Sequence, residues 1–573
     1  MNTSLGKIGS WGTWLIVVVL LMVKCYVFDV LIAQPAPVSW LRMDYLTACA
    51  AAALLALPVV LTSRRYPAFI ILGLADIWMV ANILYYRSYR LFITWHLVSV
   101  ATNINGFGNS LLPYCIWSLL LFPLLTLPAF LCFAWSSKRL GITGVSAILL
   151  ISVILSIAGS RYRWKNFAKE QEPFNWEWIN PCTLPQSLSA HISEHERQAG
   201  KYIRYHSILS YPLFMAYDAA QSPAWRQRVQ LTEEEQAELN KLINPVEPAT
   251  PIQGNLLLIV LESFESWPME VSDANGDPVC PALNRYIATH DNCLYVKDVA
   301  TQIRYGMSGD GHLIINTGLY PVSEGVTCVD YASNTYPNLA HFYPHSAIVN
   351  PCRNVWNKTV IAPAYGYRQL IEPDSDNPFA WNDSIVTDQT IAAFYALDTP
   401  ACVMTLSISC HIPFTSAQDD IPIADTVPEL FRNYLRSIHY TDRQIGRLLA
   451  WADTAAVMRN SMIAITGDHR IFHAWLNDEV REYGLRANLP FGTSQAGCPF
   501  ILTGPGIPKR TVESGAQVDV FSTILPAIGQ ANYYWKGMGH NLLEEETGSP
   551  EESNLRFILS DKLIRMNWFR ELE

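Results

Sequence analysis

Four short segments of this 573-residue chain end in side chains that bind cations or move protons. The apolar run Leu256–Leu261 ends in Glu262, and the run Met462–Thr466 ends in Gly467, Asp468 and His469. The run Val403–Ser409 ends in Cys410, His411, Ile412, Pro413 and Phe414. Two carboxylates and an imidazole suit one divalent ion of intermediate hardness, such as Mn2+, Zn2+ or Mg2+. The fourth segment, Tyr305-Gly-Met-Ser-Gly-Asp-Gly-His312, leads into a helical pattern over Leu313–Leu319. A hydroxyl at a helix N-terminus meets unpaired N–H groups and the positive end of the dipole, a setting that holds anions and favours an alkoxide. Ser308 in that place, coordinated to a metal, is an activated nucleophile.

These groups meet only if the chain delivers them to one edge. The runs Asn255–Leu261, Val403–Ser407, Ser461–Thr466 and Cys498–Leu502 are continuously apolar, as strands of a parallel sheet buried on both faces are. Helical periods separate them, notably over Val427–Trp451. Strands alternating with helices predict a mostly parallel sheet covered on both sides. Active residues of such sheets collect at the carboxyl ends of the strands.

The part upstream is of another kind. Half of the chain is hydrophobic and 16% is charged, against about 25% charged in a typical soluble protein. Five apolar stretches reach membrane-spanning length: Trp11–Ala33, Met43–Thr62, Tyr66–Tyr86, Leu111–Trp135 and Gly141–Ser160. Nine Lys or Arg against three acids give residues 1–160 a net charge of +6, so the remaining residues carry −16 of the chain's −10. That acidity argues against a nucleic-acid partner, which needs clustered Lys and Arg. Lys7, Arg64, Arg65, Lys138 and Arg139 lie in the loops that are inside when the N-terminus is inside. Five spans then put the acidic part outside the cytoplasmic membrane. Lys24 and Asp76 fall within spans, at depths that let them pair. The expected organisation is a five-helix transmembrane domain over 1–160, a juxtamembrane junction and linker over 161–251, and a catalytic α/β domain over 252–573. The junction contains a helix over Leu231–Leu242, capped by Thr232 with Glu235 three residues on, and a proline-rich linker over Asn244–Pro251.

Together these segments resemble the alkaline phosphatase/sulfatase superfamily, and within it the lipoteichoic acid synthase-like branch. Leu261-Glu-Ser263 is similar to the branch's first metal-ligand strand end, and Gly306-Met-Ser-Gly-Asp310 with Asn316-Thr-Gly-Leu-Tyr-Pro321 to its nucleophile segment. Gly467-Asp-His469 resembles its metal pair, and His411-Ile-Pro-Phe414 its substrate-site motif. Pro499-Phe-Ile-Leu, Gly504-Pro-Gly506 and Gln517-Val-Asp-Val520 resemble features near the C-terminus of the superfamily.

The resemblance implies an α/β catalytic domain on the extracytoplasmic side of a bacterial cytoplasmic membrane. It implies Glu262, Ser308, Asp468 and His469 as ligands of one divalent ion, Mn2+ in that branch, with Ser308 as nucleophile. His411 would touch the substrate phosphate or move a proton. Ala347–Asn350 and Val355–Lys358 resemble the branch's glycerophosphate-binding stretch, which implicates Asn350, Trp356 and Lys358, with Asp310 beside them. The expected reaction moves a phospholipid headgroup, glycerol phosphate or phosphoethanolamine, through Ser308 to a glycan or glycolipid acceptor. The alternative is a membrane-anchored sulfatase-family hydrolase of sulfuric esters or phosphodiesters. The sulfatase variant needs a Cys/Ser-x-Pro-x-Arg context, whereas Ser308 is followed by Gly-Asp-Gly. The chain departs from the branch at Ser308 (commonly Thr), Met307 (Lys), Asn350 (His) and Lys358 (Arg). Lysine does not reproduce bidentate arginine–phosphate geometry. Eight cysteines lie beyond the spans, where an oxidising exterior permits disulfides.

Overall fold

The computed structural model describes residues 10–32, 45–62, 66–89, 92–93, 117–132, 141–167, 203, 207–213, 215–216 and, from 229 onward, all but 324, 354, 376, 378, 472–475, 477, 494, 545–549 and 572–573. The expected basic loops at Lys7, Arg64–Arg65 and Lys138–Arg139 lie outside these residues. The chain forms two compact units, an N-terminal one that takes in residues 193–226 and one that runs from Gln227 to Glu573.

In the N-terminal unit, the helices Ser10–Ile32, Tyr66–Tyr89 and Ile142–Phe167 contain apolar stretches long enough to cross a membrane. The sequence reading expected five spans, and the described residues hold three of that length. The stretch expected over Met43–Thr62 is split into Tyr45–Leu55 and Leu57–Leu61, with Pro58 at the start of the second piece. Proline has no N–H to give and crowds the preceding turn, so it ends one helix and opens the next. The fourth stretch is a 3-10 turn over Trp117–Leu120 that continues as the helix Leu121–Cys132. Leu74, Ile77, Leu150, Ile154 and Ile157 face outward, as side chains against lipid do.

The intramembrane charges pair as expected. The Lys24 ammonium, 0% exposed, donates to Asp76, to the Phe122 carbonyl and, at 2.9 Å, to Thr126 Oγ1. Thr126 in turn donates to Asp76 Oδ2 at 2.8 Å. Three helices are tied at one point, and removal of either charge strands the other. Asp76→Asn or Lys24→Met is expected to cost about 3–5 kcal/mol, and the double change less than the sum. Thermal unfolding in detergent checks this, and additive losses would refute the coupling. The expected junction is partly built into the same unit: Ile208 and Tyr211 are buried with its helices, and Trp78 Nε1 donates to the Ile208 carbonyl at 3.1 Å.

The second unit opens with the helix Glu233–Leu242. Thr232 and Glu235 close a reciprocal capping box there, as their spacing predicted. The proline-rich stretch after it is fastened rather than loose: Asn244 bonds the Tyr533 and Tyr534 carbonyls, and Thr250 and Gln530 exchange two hydrogen bonds.

Eight strands follow: β1 Leu256–Leu261, β2 Cys293–Ala300, β3 His345–Val349, β4 Gln369–Ile371, β5 Ala401–Leu406, β6 Met462–Gly467, β7 Cys498–Thr503 and β8 Arg510–Ala516. They form one sheet in the order β4-β3-β5-β1-β6-β7-β2-β8. All pairings are parallel except those of β7, which runs against β6 and β2. The mostly parallel sheet is as predicted, but β7 was expected parallel. Its run Cys498–Leu502 is buried on both faces in either direction, so apolarity carries no information about polarity of the chain. One face, with Leu257, Ile259, Val403 and Ile465, packs against the helices Pro281–Thr289, Asp383–Ala396 and Glu429–Thr454. The helix Ser308–Thr317 meets the sheet through Asn316, which donates to Met404 of β5 and accepts from Tyr367.

Candidate metal centre and nucleophile

β1 and β6 are central neighbours, in register from Leu256↔Met462 to Leu261↔Gly467. Parallel strands in this register end together, so their next residues, Glu262 and Asp468, emerge side by side. The edge is stitched by backbone: Asp468 N donates to Leu261 O at 3.0 Å, and Ser263 N to Asp468 Oδ1 at 2.9 Å. On the β5 side, Glu262 N donates to Ser407 Oγ at 2.8 Å. His469 follows with its own N–H on Asp468 Oδ1, at 2.7 Å.

Ser308 reaches the same point from the first turn of its helix. The turn before it places Met307 at φ 43°, ψ −121°, outside the ordinary regions for a bulky residue. Asp310 holds that turn: its Oδ2 accepts from Arg304 N and Gly306 N, both at 2.9 Å. Two glycines let the helix close on the strand ends. A Cβ on Gly311 would lie 2.4 Å from the Asp468 carbonyl oxygen, and one on Gly309 would lie 2.8 Å from Cys328 Sγ and 3.4 Å from Trp356.

Ser308 Oγ then lies 3.2 Å from Glu262 Oε2 and 3.1 Å from His469 Nε2. His469 Nε2 is 3.6 Å from Glu262 Oε1 and 3.5 Å from Asp468 Oδ2. One ligand atom each of Glu262, Asp468 and His469 falls within 4.8 Å of the others, and all three residues are buried. Burial, and next the adjoining Glu262, push the Asp468 carboxyl well above its ordinary range. Burial lowers the His469 imidazole, which is therefore neutral. Its Nδ1 lies 3.0 Å from the Arg470 carbonyl, so Nδ1 carries the hydrogen and Nε2 turns its lone pair to the carboxylates. Two buried carboxylates, a neutral imidazole and a hydroxyl are the donor set a divalent cation takes, and such a cation offsets the repulsion that the two acids impose on each other.

The remaining expected residues are distributed around this point. His411 is half-buried, its Nδ1 2.8 Å from the Ile412 carbonyl and its ring edge-on to Phe379. Trp356 and Asn357 both adopt left-handed backbone, and the Trp356 side chain lies against Gly309. Lys358 is buried with its ammonium on His312 Nδ1. Asn350 is turned to the Cys352 carbonyl and, at 3.3 Å, to Glu372. Asp310 serves the turn rather than the open site. Cys410 is a buried thiol against Thr441, and Cys280, Cys293, Cys328, Cys402 and Cys498 are buried thiols too; Cys182 lies outside the described residues.

Sequence reasoning passed over several supports. Ser263 donates to Glu262 Oε1 at 2.7 Å, and Gln517 Nε2 donates to the Asp468 carbonyl at 2.7 Å. Glu265 accepts from Ile471 N, Gly492 N and Trp267, fixing the loop after His469. Burial raises the Glu265 carboxyl to about 7. The folded state therefore keeps a proton that the unfolded chain has lost, and stability falls as pH rises from the ordinary carboxylate range through about 7. Glu265→Gln retains the acceptor for both N–H groups and is expected to flatten that decline. Thermal unfolding midpoints between pH 5 and pH 8, about the range in which such groups matter, test this; parallel curves would refute it.

Comparison with known proteins places this architecture. The family model described as Sulfatase matches residues 255–530, the segment that holds every residue of the centre. A second, described as the lipoteichoic acid synthase N-terminal domain, matches residues 1–168. The chain belongs to the lipoteichoic acid synthase-like branch of the alkaline phosphatase/sulfatase superfamily. Lipoteichoic acid synthase-like YvgJ of Bacillus subtilis is 24% identical to it over 334 residues, which cover 55% of this chain and 54% of that protein. Lipoteichoic acid synthase of Staphylococcus aureus is 20% identical over 415 residues, covering 68% and 60%. The chain spans about half the length of the Bacillus relatives it matches. Among solved structures, the lipoteichoic acid synthase LtaP of Listeria monocytogenes is similar to the sulfatase-like part, with 16% identity, a TM-score of 0.46, and coverage of 59% of this chain and 98% of that one.

Proposed function

We propose that this chain is a membrane-anchored, metal-dependent phosphotransferase. It moves a phospholipid headgroup, first of all glycerol phosphate, through a covalent intermediate on Ser308 to a hydroxyl of a cell-envelope glycan or glycolipid. The observation that carries this reading is the convergence of Ser308 Oγ, at a helix N-terminus, with Glu262 and His469 at the ends of two parallel strands.

Glu262, Ser308, Asp468 and His469 would hold one divalent ion, Mn2+ by resemblance; when bound, it supplies Lewis-acid stabilisation of negative charge on the serine and phosphoryl oxygens. The protein supplies the rest. Ser308 Oγ, its proton given up to water before the donor binds, forms a bond to phosphorus, while the bond from phosphorus to the diacylglycerol oxygen breaks. The N-terminus of the helix that opens at Ser308 would favour the negative charge that develops there. His411, half-buried just beyond the end of β5, delivers a proton to the departing diacylglycerol oxygen and takes one from the acceptor hydroxyl in the second step. The acceptor oxygen then bonds to phosphorus and Ser308 Oγ leaves. Lys358 adds a positive charge next to the nucleophile helix, and Trp356 walls the same side. In this reading five membrane segments hold the ectodomain on the extracytoplasmic side of the cytoplasmic membrane, with its site near lipid donors.

The test is direct. The purified full-length protein with Mn2+ is given fluorescent phosphatidylglycerol and, separately, phosphatidylethanolamine. Release of diacylglycerol from the first supports glycerol phosphate transfer, and release from the second alone moves the reading to phosphoethanolamine. Release from neither refutes the transferase. Headgroup that ends on water whatever glycan is added makes the enzyme a hydrolase.

A further inference from the structure

His312 has no place in the reaction just described, yet it is a buried side chain of the nucleophile helix. It stands four residues after Ser308, on the same face of the nucleophile helix one turn deeper. It is 5% exposed, and its Nδ1 lies 2.5 Å from the ammonium of Lys358, itself 3% exposed. An ammonium has only hydrogens to give, so Nδ1 is the acceptor and the imidazole is neutral. Burial first, and next the charge of Lys358, keep it so. Among the described residues no carboxylate pairs with Lys358. A buried ammonium with one of its three donors engaged is costly unless an anion completes it.

We infer that His312 is a positioning residue: it tethers Lys358 without neutralising it, so that the full positive charge and the two remaining N–H donors are reserved for the phosphate of the substrate headgroup. A glutamate at this place would hold the lysine as firmly and cancel its charge. A leucine would leave the charge and release the tether. The neutral acceptor does what neither can. The inference rests on the proposed headgroup reading for the identity of the anion, and it concerns affinity for the phosphate rather than the bond-making step.

The test uses the full-length protein with Mn2+ and measures binding of sn-glycerol 1-phosphate by calorimetry, beside diacylglycerol release. His312→Leu and His312→Glu are expected to weaken binding, and to raise KM, by about tenfold or more, the scale of a lost hydrogen bond to a charged group. His312→Asn keeps a neutral acceptor and is expected to recover most of the affinity. On a Lys358→Gln background, His312→Glu is expected to add little, because the two act as one unit. A Mn2+-induced rise in unfolding temperature equal to that of the parent shows that each variant is folded. The inference is overturned if His312→Glu binds as tightly as the parent, or if it weakens binding equally with and without Lys358. Parent protein that binds glycerol phosphate in a His312-dependent way but releases no diacylglycerol refutes the headgroup reading and leaves this inference standing. Release that is indifferent to His312→Glu does the reverse.

Discussion

Ser308→Ala is expected to lower diacylglycerol release at least about 10³-fold, the scale on which removal of a covalent nucleophile acts. The hydroxyl lies 3.1–3.2 Å from both Glu262 and His469. Substitution removes the atom proposed to bond to phosphorus and leaves the other three proposed metal ligands, Glu262, Asp468 and His469, in place. The folded state should hardly notice, because alanine suits the first turn of a helix and vacates little volume. Ser308→Thr keeps the oxygen and is expected to stay within about tenfold of the parent. Intact-protein mass spectrometry after a single turnover gives the second readout: a headgroup adduct on the parent that Ser308→Ala lacks. An adduct that persists in the alanine variant would move the nucleophile elsewhere.

The second large effect is expected at Asp468, with opposite signs in the two states of the protein. Asp468→Asn retains an oxygen for the N–H groups of Ser263 and His469. It removes a charge that is buried beside Glu262 and costly for that reason. The metal-free variant should therefore unfold at the parent's temperature or above it. A proposed metal ligand would nevertheless be lost, and Mn2+ affinity should fall about 10²-fold or more. Activity should fall with it at any Mn2+ concentration that saturates the parent. Unfolding curves with Mn2+ and with a chelator decide the matter. The parent should gain stability from the metal, and the variant should start level and gain almost none. A variant that the metal stabilises as much as the parent would remove Asp468 from the ligand set.

Why Glu262, Asp468 and His469 were legible in the sequence is a matter of geometry. A parallel sheet aims its strand ends one way, so acids that follow apolar runs share an edge however far apart they are in the chain. Other parts were hidden for equally physical reasons. β8, over Arg510–Ala516, is an edge strand with alternating exposed residues, and β4 is three residues long. Neither shows the continuous apolar run of a central strand. β2 carries Lys297 and Asp298 in its middle, which broke its pattern. The reversed direction of β7 leaves no trace in composition. Hydropathy averages over residues and does not see that Pro58 breaks the second apolar stretch through one missing N–H. His312 read as part of a glycine-rich turn, since its partner Lys358 lies 46 residues away and only tertiary structure joins them.

The pairing of β1 with β6 also fixes when the enzyme can come into being. Ser263 and Asp468 are 205 residues apart, and β1 waits for β6 until the chain has been made as far as residue 468, with β7 and β8 still to come. Contacts of such separation form late and slowly. The ligand set is therefore absent from every shorter nascent chain, and an early fragment holds only isolated acids that bind cations weakly. Acquisition of a metal by this ligand set would then wait for β6 to pair with β1, a checkpoint that would couple catalytic competence to closure of the centre of the sheet. A chain truncated anywhere before β6 should be inert and should also fail to retain Mn2+, however well its first strands have formed.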